Sequence, residues 1–271
     1  SRILLEVTRM GQHSYECFPT VHLLFLIVFV LVLTIGTATA SGSPVEVWNR
    51  TYDGEGMQDE GFYVTAAPDG GYVITGYVTT DTGGEDCVLM KTDSSGNRVW
   101  QKDYGGTAAD RGSMVLPTGS GYIMAGTTRS FRPDSNADAW LIMTSVNGTE
   151  LWNRTYGGDE IEEALSMDSA AGGGFILAGQ SSSFTDTHIP YLWLVRTDGD
   201  GNEIWNRTIS TLYTSKGSDV ISTSDGGYAI TGTMGSTGNS NPLLVKTNSS
   251  GELEWIRWYD LGYTAGTTRE G

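Results

Sequence analysis

The sequence predicts an all-β chain built from repeated four-stranded units, each about 50 residues long. Three observations predict it. The phrase "WNRTY" stands at Trp48 to Tyr52 and again at Trp152 to Tyr156, and "WNRTI" follows at Trp205 to Ile209. Tryptophan recurs at near-constant intervals, at Trp48, Trp100, Trp152, Trp205 and Trp255. The composition agrees: 37 glycines, 8 Trp and 13 Tyr with only 18% charged residues suit short strands joined by tight turns, not a helical bundle.

In chain order, the first element is a leader over residues 1–40. Val21 to Gly36 is an almost unbroken apolar run, and Ala38 and Ala40 offer an A-x-A cleavage site after it. The run is short for a spanning helix, which needs about 20 apolar residues, so a signal peptide is expected, with an uncleaved N-terminal anchor helix as the alternative. Either form places the rest of the chain outside the cytoplasm, as a secreted or cell-surface protein. The n-region is weakly basic and the chain begins at Ser1, with Met10 as a natural start. Of the two cysteines, Cys17 precedes the apolar run and would leave with the leader. Cys87 is then alone on a predicted strand, a small apolar residue with no disulfide partner.

From residue 45 to 271 the repeats follow, approximately 48–99, 100–151, 152–204 and 205–254, with a partial fifth from 255. Each holds a turn and strand, "DGGYVITG", "GSGYIMAG", "GGGFILAG" or "DGGYAITG", in which glycines serve the turn and alternating apolar residues fit a half-buried strand. The next strand, "CVLMKTD", "AWLIMTS", "LWLVRTD" or "PLLVKTN", is apolar enough for the middle of a sheet. A tight turn closed by Gly96, Gly148, Gly201 or Gly251 leads, four residues later, to the next Trp. One such sheet cannot bury both faces, but sheets stacked around an axis can, with one Trp per unit as the wedge between neighbours; a β-propeller of about four blades is expected. Four units are few for a ring, and "DLGYTAGTTREG" reads as the start of another, so the alternative is a piece of a larger propeller.

These motifs, W-x-(K/R)-x-Y-G-G, then D-G-G-Y, then W-L-x-K-(T/L)-D-x-x-G-x-x-x-W, resemble the repeats of secreted bacterial and methanogen surface proteins, which are related to quinoprotein-like (PQQ-like) propellers. The resemblance covers about Val45 to Tyr259. It implies a propeller fold and little about activity. The vicinal cysteine pair and calcium constellation of quinone-dependent dehydrogenases have no counterpart here.

The sequence shows no catalytic constellation and implies no organic cofactor. His188 is the one histidine beyond the leader, beside Pro190 in a loop, and supplies neither a metal cluster nor a triad. "TDGDGNE" offers Asp198, Asp200 and Asn202 as oxygen ligands for calcium, although its three sister turns are less acidic and an ordinary hairpin turn is the simpler expectation. Asn49, Asn147, Asn153, Asn206 and Asn248 are N-x-S/T acceptors for glycosylation, and the three after a repeated Trp are expected at exposed strand positions. Asp59, Glu60, Asp110, Glu160, Glu162 and Glu163 recur before the second strand of their units and could gather on one rim.

Acidic residues outnumber basic ones 32 to 16, a net charge of −16, which disfavours nucleic acid and anionic lipid as partners. Contact with a membrane is expected only through an uncleaved leader. The first functional expectation is an exported, non-catalytic scaffold or binding module that meets a surface protein or glycan through rim loops at Thr79 to Glu85, Arg129 to Ala137 and Ser181 to Pro190. The alternative is an extracellular polysaccharide hydrolase or lyase that uses the rim carboxylates.

Overall fold

The computed structural model describes residues 48–52, 58–81, 84–186, 188–211, 213–236 and 239–259. The expected leader helix and the start of a fifth unit after Tyr259 lie outside the described residues. Sixteen strands form four antiparallel sheets of four. The first sheet holds β1 (Glu60–Ala66), β2 (Tyr72–Thr79), β3 (Glu85–Thr92) and β4 (Arg98–Tyr104); the second holds β5 (Asp110–Pro117), β6 (Gly121–Thr128), β7 (Asp138–Ser145) and β8 (Glu150–Tyr156). The third holds β9 (Glu162–Ser169), β10 (Phe175–Ser181), β11 (Tyr191–Thr197) and β12 (Glu203–Ile209); the fourth holds β13 (Thr214–Ser222), β14 (Tyr228–Ser236), β15 (Asn239–Thr247) and β16 (Leu253–Trp258). Among the described residues there is no helix, and none that could cross a membrane.

Strand order within each sheet is sequential, so every connection inside a unit is a hairpin. Burial follows the sequence pattern. The third strands β3, β7 and β11 are covered on both faces and read as apolar runs, whereas β4, β8 and β12 are exposed or half-buried except at their last residue. The sheets are out of phase with the Trp-to-Trp repeat: Trp100, Trp152, Trp205 and Trp255 each stand on the last strand of a sheet instead of opening one.

The first strand of every sheet is bulged at one place, between Gly61 and Tyr63, Gly112 and Met114, opposite Ala178 and Gly179, and between Gly217 and Asp219. A bulge adds twist and bends the strand. The glycine that ends each "ITG", "MAG" or "LAG" sits opposite the bulge. A Cβ on Gly76, Gly126, Gly179 or Gly232 would collide with the carbonyl oxygen of Glu60, Arg111, Glu163 or Lys216 respectively. The repeated glycine is therefore required by close backbone approach, not by a turn.

The core lies between sheets. Val73, Cys87 and Leu89 of the first sheet meet Val115, Met124, Trp140 and Ile142 of the second. Ile123, Ala125 and Leu141 meet Met167, Leu177 and Trp193 of the third, and Ile176, Ala178 and Leu194 meet Val220, Ile230 and Val245 of the fourth. The architecture is all-β and propeller-like.

The two ends of the stack are open. Val64, Val115, Met167 and Val220 hold one register position, paired with Ile74, Met124, Leu177 and Ile230. Val64 is 57% exposed, whereas Val115 and Met167 are at 0% and Val220 at 2%. The first sheet thus lacks, among the described residues, the neighbour that covers the other three. Among the described residues no core cluster joins the fourth sheet to the first.

Candidate functional site

The recurring pentapeptide is a clamp between consecutive sheets. The rings of Trp48, Trp100, Trp152 and Trp205 lie against Gly96, Gly148, Gly201 and Gly251 of the following unit, so closely that a Cβ there would fall 2.6 to 2.8 Å from a ring carbon. Each of those glycines also has a φ between 74° and 77° or, at Gly148, 72°, the left-handed conformation that a turn without a Cβ adopts freely. The last residue of the phrase completes the clamp: Tyr52, Tyr104 and Tyr156 donate their hydroxyls at 2.6 Å to the carbonyls of Gly96, Gly148 and Gly201. Arg154 and Arg207 lie over the faces of Trp152 and Trp205 at 5.6 and 5.7 Å, covering the rings from solvent.

The asparagines divide into two groups. Asn153 and Asn206 are half-buried, accept the indole N–H of Trp140 and Trp193 (3.3 and 3.4 Å), and donate to Glu150 and Glu203. The expectation that acceptors after the repeated Trp are exposed therefore fails at these two, because their amides are recruited by a buried tryptophan in the preceding strand. Asn49 is exposed, in a stretch that belongs to no strand. Asn147 is exposed at a turn, and Asn248 uses its carbonyl oxygen to receive the backbone N–H groups of Ser250 and Glu252.

In the acidic turn, Asp198 Oδ1 accepts from the backbone N–H groups of Asp200 and Asn202, and Oδ2 from the Asn202 side chain. These bonds lower the Asp198 carboxyl from its ordinary value, led by the Asn202 side chain. Asp93 makes the same bonds in the sister turn, so the carboxylate organises a hairpin. Among the described residues no group of three or more His, Cys, Asp or Glu side chains is placed to hold a metal. His188 is exposed, with Nδ1 3.3 Å from Glu160.

The rim carboxylates separate into clamps and surface charges. Asp110 is fully buried: one oxygen accepts from the Thr128 hydroxyl and the Arg129 N–H, the other from the Gly106 N–H and the Ser130 hydroxyl. Glu162, also fully buried, accepts from Ser181, the Ser183 N–H and the Gly158 N–H. Asp59 holds the Thr79 N–H in the first unit. Glu60 and Glu160 point outward, and Glu163 accepts from Gln180.

Sequence reasoning missed a second acid beside each buried one. A Cβ on Gly105 would lie 2.6 Å from both Asp86 and Asp110, and one on Gly157 would meet both Asp138 and Glu162. Asp138 is 6% exposed, and its Oδ1 has no hydrogen-bond partner; Arg132 stands 3.6 Å away. Burial pushes its carboxyl up to about 6; Arg132 opposes the rise, while Glu162 and Asp134 add to it. Burial, with Asp110 and Asp103, raises Asp86 in the same direction. The signal available in sequence was the joint recurrence of "YGG" with an acid opening the third strand.

A cavity of about 510 Å³ opens along the bulged strands of the first three sheets, lined by Phe62, Arg111, Ser113, Arg129, Glu163 and Leu165 among others. Arg111 is held by Glu85 and lies over Tyr77 at 4.8 Å. Arg129 donates to the Ser135 carbonyl within its loop. The lining combines apolar surface with hydroxyl, cationic and carboxylate groups, and it adjoins the rim that carries the Arg129 to Ala137 loop.

Against known proteins, no family model and no curated protein matches the chain. It is similar to a crystal structure of a protein of unknown function from Bacteroides caccae, at 13% identity and a TM-score of 0.30, over 80% of this chain and 87% of that one. A likeness of that size carries no argument about function.

Proposed function

We propose that the chain is an exported, non-catalytic β-propeller module, similar to quinoprotein-like surface repeats, that binds a glycan or surface protein at its loop-bearing rim. The observation behind this reading is the use to which the rim acids are put. Asp110 and Glu162 are buried, and each carboxylate oxygen accepts hydrogen bonds that tie a loop to a strand end. An acid or base for hydrolysis needs an oxygen free to reach a substrate. A polysaccharide hydrolase would have to draw its pair from elsewhere.

The pocket beside Arg129 supports binding. Its volume falls in the range of small-ligand clefts, and Phe62 with Arg129, Ser113 and Glu163 offers the mixture of apolar face and hydrogen-bonding groups that suits a saccharide. The apolar run ahead of the repeats supports export, and Asn49 and Asn147, with exposed side chains, are the acceptors best placed to carry sugar. The test is a glycan array followed by calorimetry on the full chain and on Arg129→Ala. Binding without turnover, lost in the variant at unchanged melting temperature, is expected. Release of shortened saccharide from any polymer, abolished by Asp110→Asn with the fold intact, would overturn the reading.

A further inference from the structure

Among the described residues, stacking four units in one direction leaves two uncovered faces, and the internal interfaces specify what each receives. On the fourth sheet, Thr231, Pro242 and Leu244 occupy the registers of Ala178, Leu192 and Leu194 in the third. Those three are buried in the third sheet, whereas Thr231 and Pro242 are exposed and Leu244 is half-buried. Trp255 carries Arg257 over its ring at 6.0 Å, as Trp205 carries Arg207, yet it is 39% exposed. Tyr259, in the place of Tyr104 and Tyr156, is exposed as well. A ready clamp stands at this end with no glycine turn, among the described residues, to close on.

At the opposite end the reverse holds. The first sheet has its turn at Gly96, and its outward face shows Val64, Phe62 and the half-buried Ile74. That turn is filled by Trp48 and Tyr52, from a stretch that belongs to no strand. The stretch copies the local geometry of an outer strand: Arg50 donates to the Asn49 carbonyl as Arg154, Arg207 and Arg257 donate to the carbonyl before them. Residues 48–52 therefore take, at the Gly96 turn, the place that an outer strand takes at the turns of the other sheets.

We propose that a second copy of this chain docks head to tail, the β13–β16 sheet of one copy against the β1–β4 sheet of the next. Trp255 and Tyr259 of the first copy enter the Gly96 turn of the second and displace its Trp48 and Tyr52. The occupant is a copy of this chain because the interface continues, register for register, the three already present inside it. Trp48 already fills the turn that Trp255 would enter, so residues 48–52 act as an internal cap that competes with assembly. At a net charge of −16 the copies repel, and added salt strengthens the contact.

The competition makes two Trp→Ala changes act with opposite sign. The experiment is sedimentation velocity on the full chain in mild detergent, over a concentration series at low and high salt. Trp255→Ala is expected to weaken association about 30-fold, the effect of truncating an interface anchor. Trp48→Ala is expected to strengthen it, and Tyr52→Phe, which deletes only a hydroxyl, guards against loss of fold in the first sheet. Val64→Asp changes a side chain that is exposed in the single chain and is expected to block docking without affecting melting. A monomer at every concentration would overturn the proposal. So would association unaffected by Trp255→Ala and Val64→Asp, the result expected if the apolar leader drives it, or weaker association in Trp48→Ala.

Discussion

Gly199 and Gly201 share one hairpin and differ in what surrounds them, which makes them a test of the clamp. At Gly201 φ is +77°, and a Cβ would lie 2.7 and 2.8 Å from two ring carbons of Trp152. At Gly199 a Cβ would meet nothing within 4 Å. Gly201→Ala brings a left-handed backbone cost of about 1–2 kcal/mol and an overpacking cost of about 1–3 kcal/mol, because the Trp152 ring is held by Arg154 on one side and the turn on the other. The total is about 2–5 kcal/mol, a fall in melting temperature of roughly 4–20 °C for a unit of this size. Gly199→Ala should stay within about 0.5 kcal/mol. Thermal unfolding followed by tryptophan fluorescence reads both, and Trp152 itself reports the clamp. Equal effects at the two positions would refute the reasoning, as would a large loss at Gly199.

Tyr156→Phe removes a 2.6 Å bond to the Gly201 carbonyl and leaves a buried acceptor unpaired; a loss of about 1–3 kcal/mol in urea unfolding is expected, and an unchanged midpoint would count against the clamp. Cys87 is 1% exposed and burial pushes its thiol up to about 12, so iodoacetamide should leave it unmodified in the native protein and label it only on unfolding; rapid labelling at pH 8 would contradict the packing between the first two sheets. Asp138 titrates near 6 in the folded state against an ordinary 3.8, so between about pH 4 and pH 6 the native form holds more protons than the unfolded chain and stability falls as pH rises. Asp138→Asn should flatten that window and raise stability at pH 7 by on the order of 1–3 kcal/mol; a variant less stable than the parent at pH 7 would show that the Arg132 contact outweighs the burial cost.

The repeat, the strand count and the glycine turns were legible because each is written in local sequence: alternating apolar residues mark half-buried strands, and an Asp, Ser or Asn ahead of a glycine marks the hairpin. The destination of the recurring Trp was legible only as a wedge. That it closes on the following unit's glycine depends on the stacking of sheets, which no window of sequence shows. Trp140 and Trp193 were missed for a related reason. They occur in two units only, with Val88 and Leu243 at the matching positions of the others, yet among the described residues they are the largest fully buried side chains. Their indole bonds also explain why Asn153 and Asn206 are half-buried although a simple alternation places them outward.

The fourth unit shows that the acid pair belongs with the glycine pair. Where the second and third sheets meet, Gly157 and Gly158 lie beside Asp138 and Glu162; where the first and second meet, Gly105 and Gly106 lie beside Asp86 and Asp110. Between the third and fourth sheets the corresponding residues are Ser210 and Thr211 for the glycines, Tyr191 for Asp138 and Ser215 for Glu162. Ser215 keeps the backbone bond that Glu162 makes, its N–H donating to the Pro190 carbonyl as that of Glu162 donates to Ala137, but its hydroxyl now receives the Leu192 N–H. All four positions change together. A buried carboxylate is tolerated only when its hydrogen-bond donors are in place, and the Gly106 and Gly158 N–H groups reach the acid because no Cβ intervenes. Removing the glycines alone would strand the acid, and removing the acid alone would leave part-buried N–H groups unpaired. The unit is exchanged as a whole because each half is costly without the other.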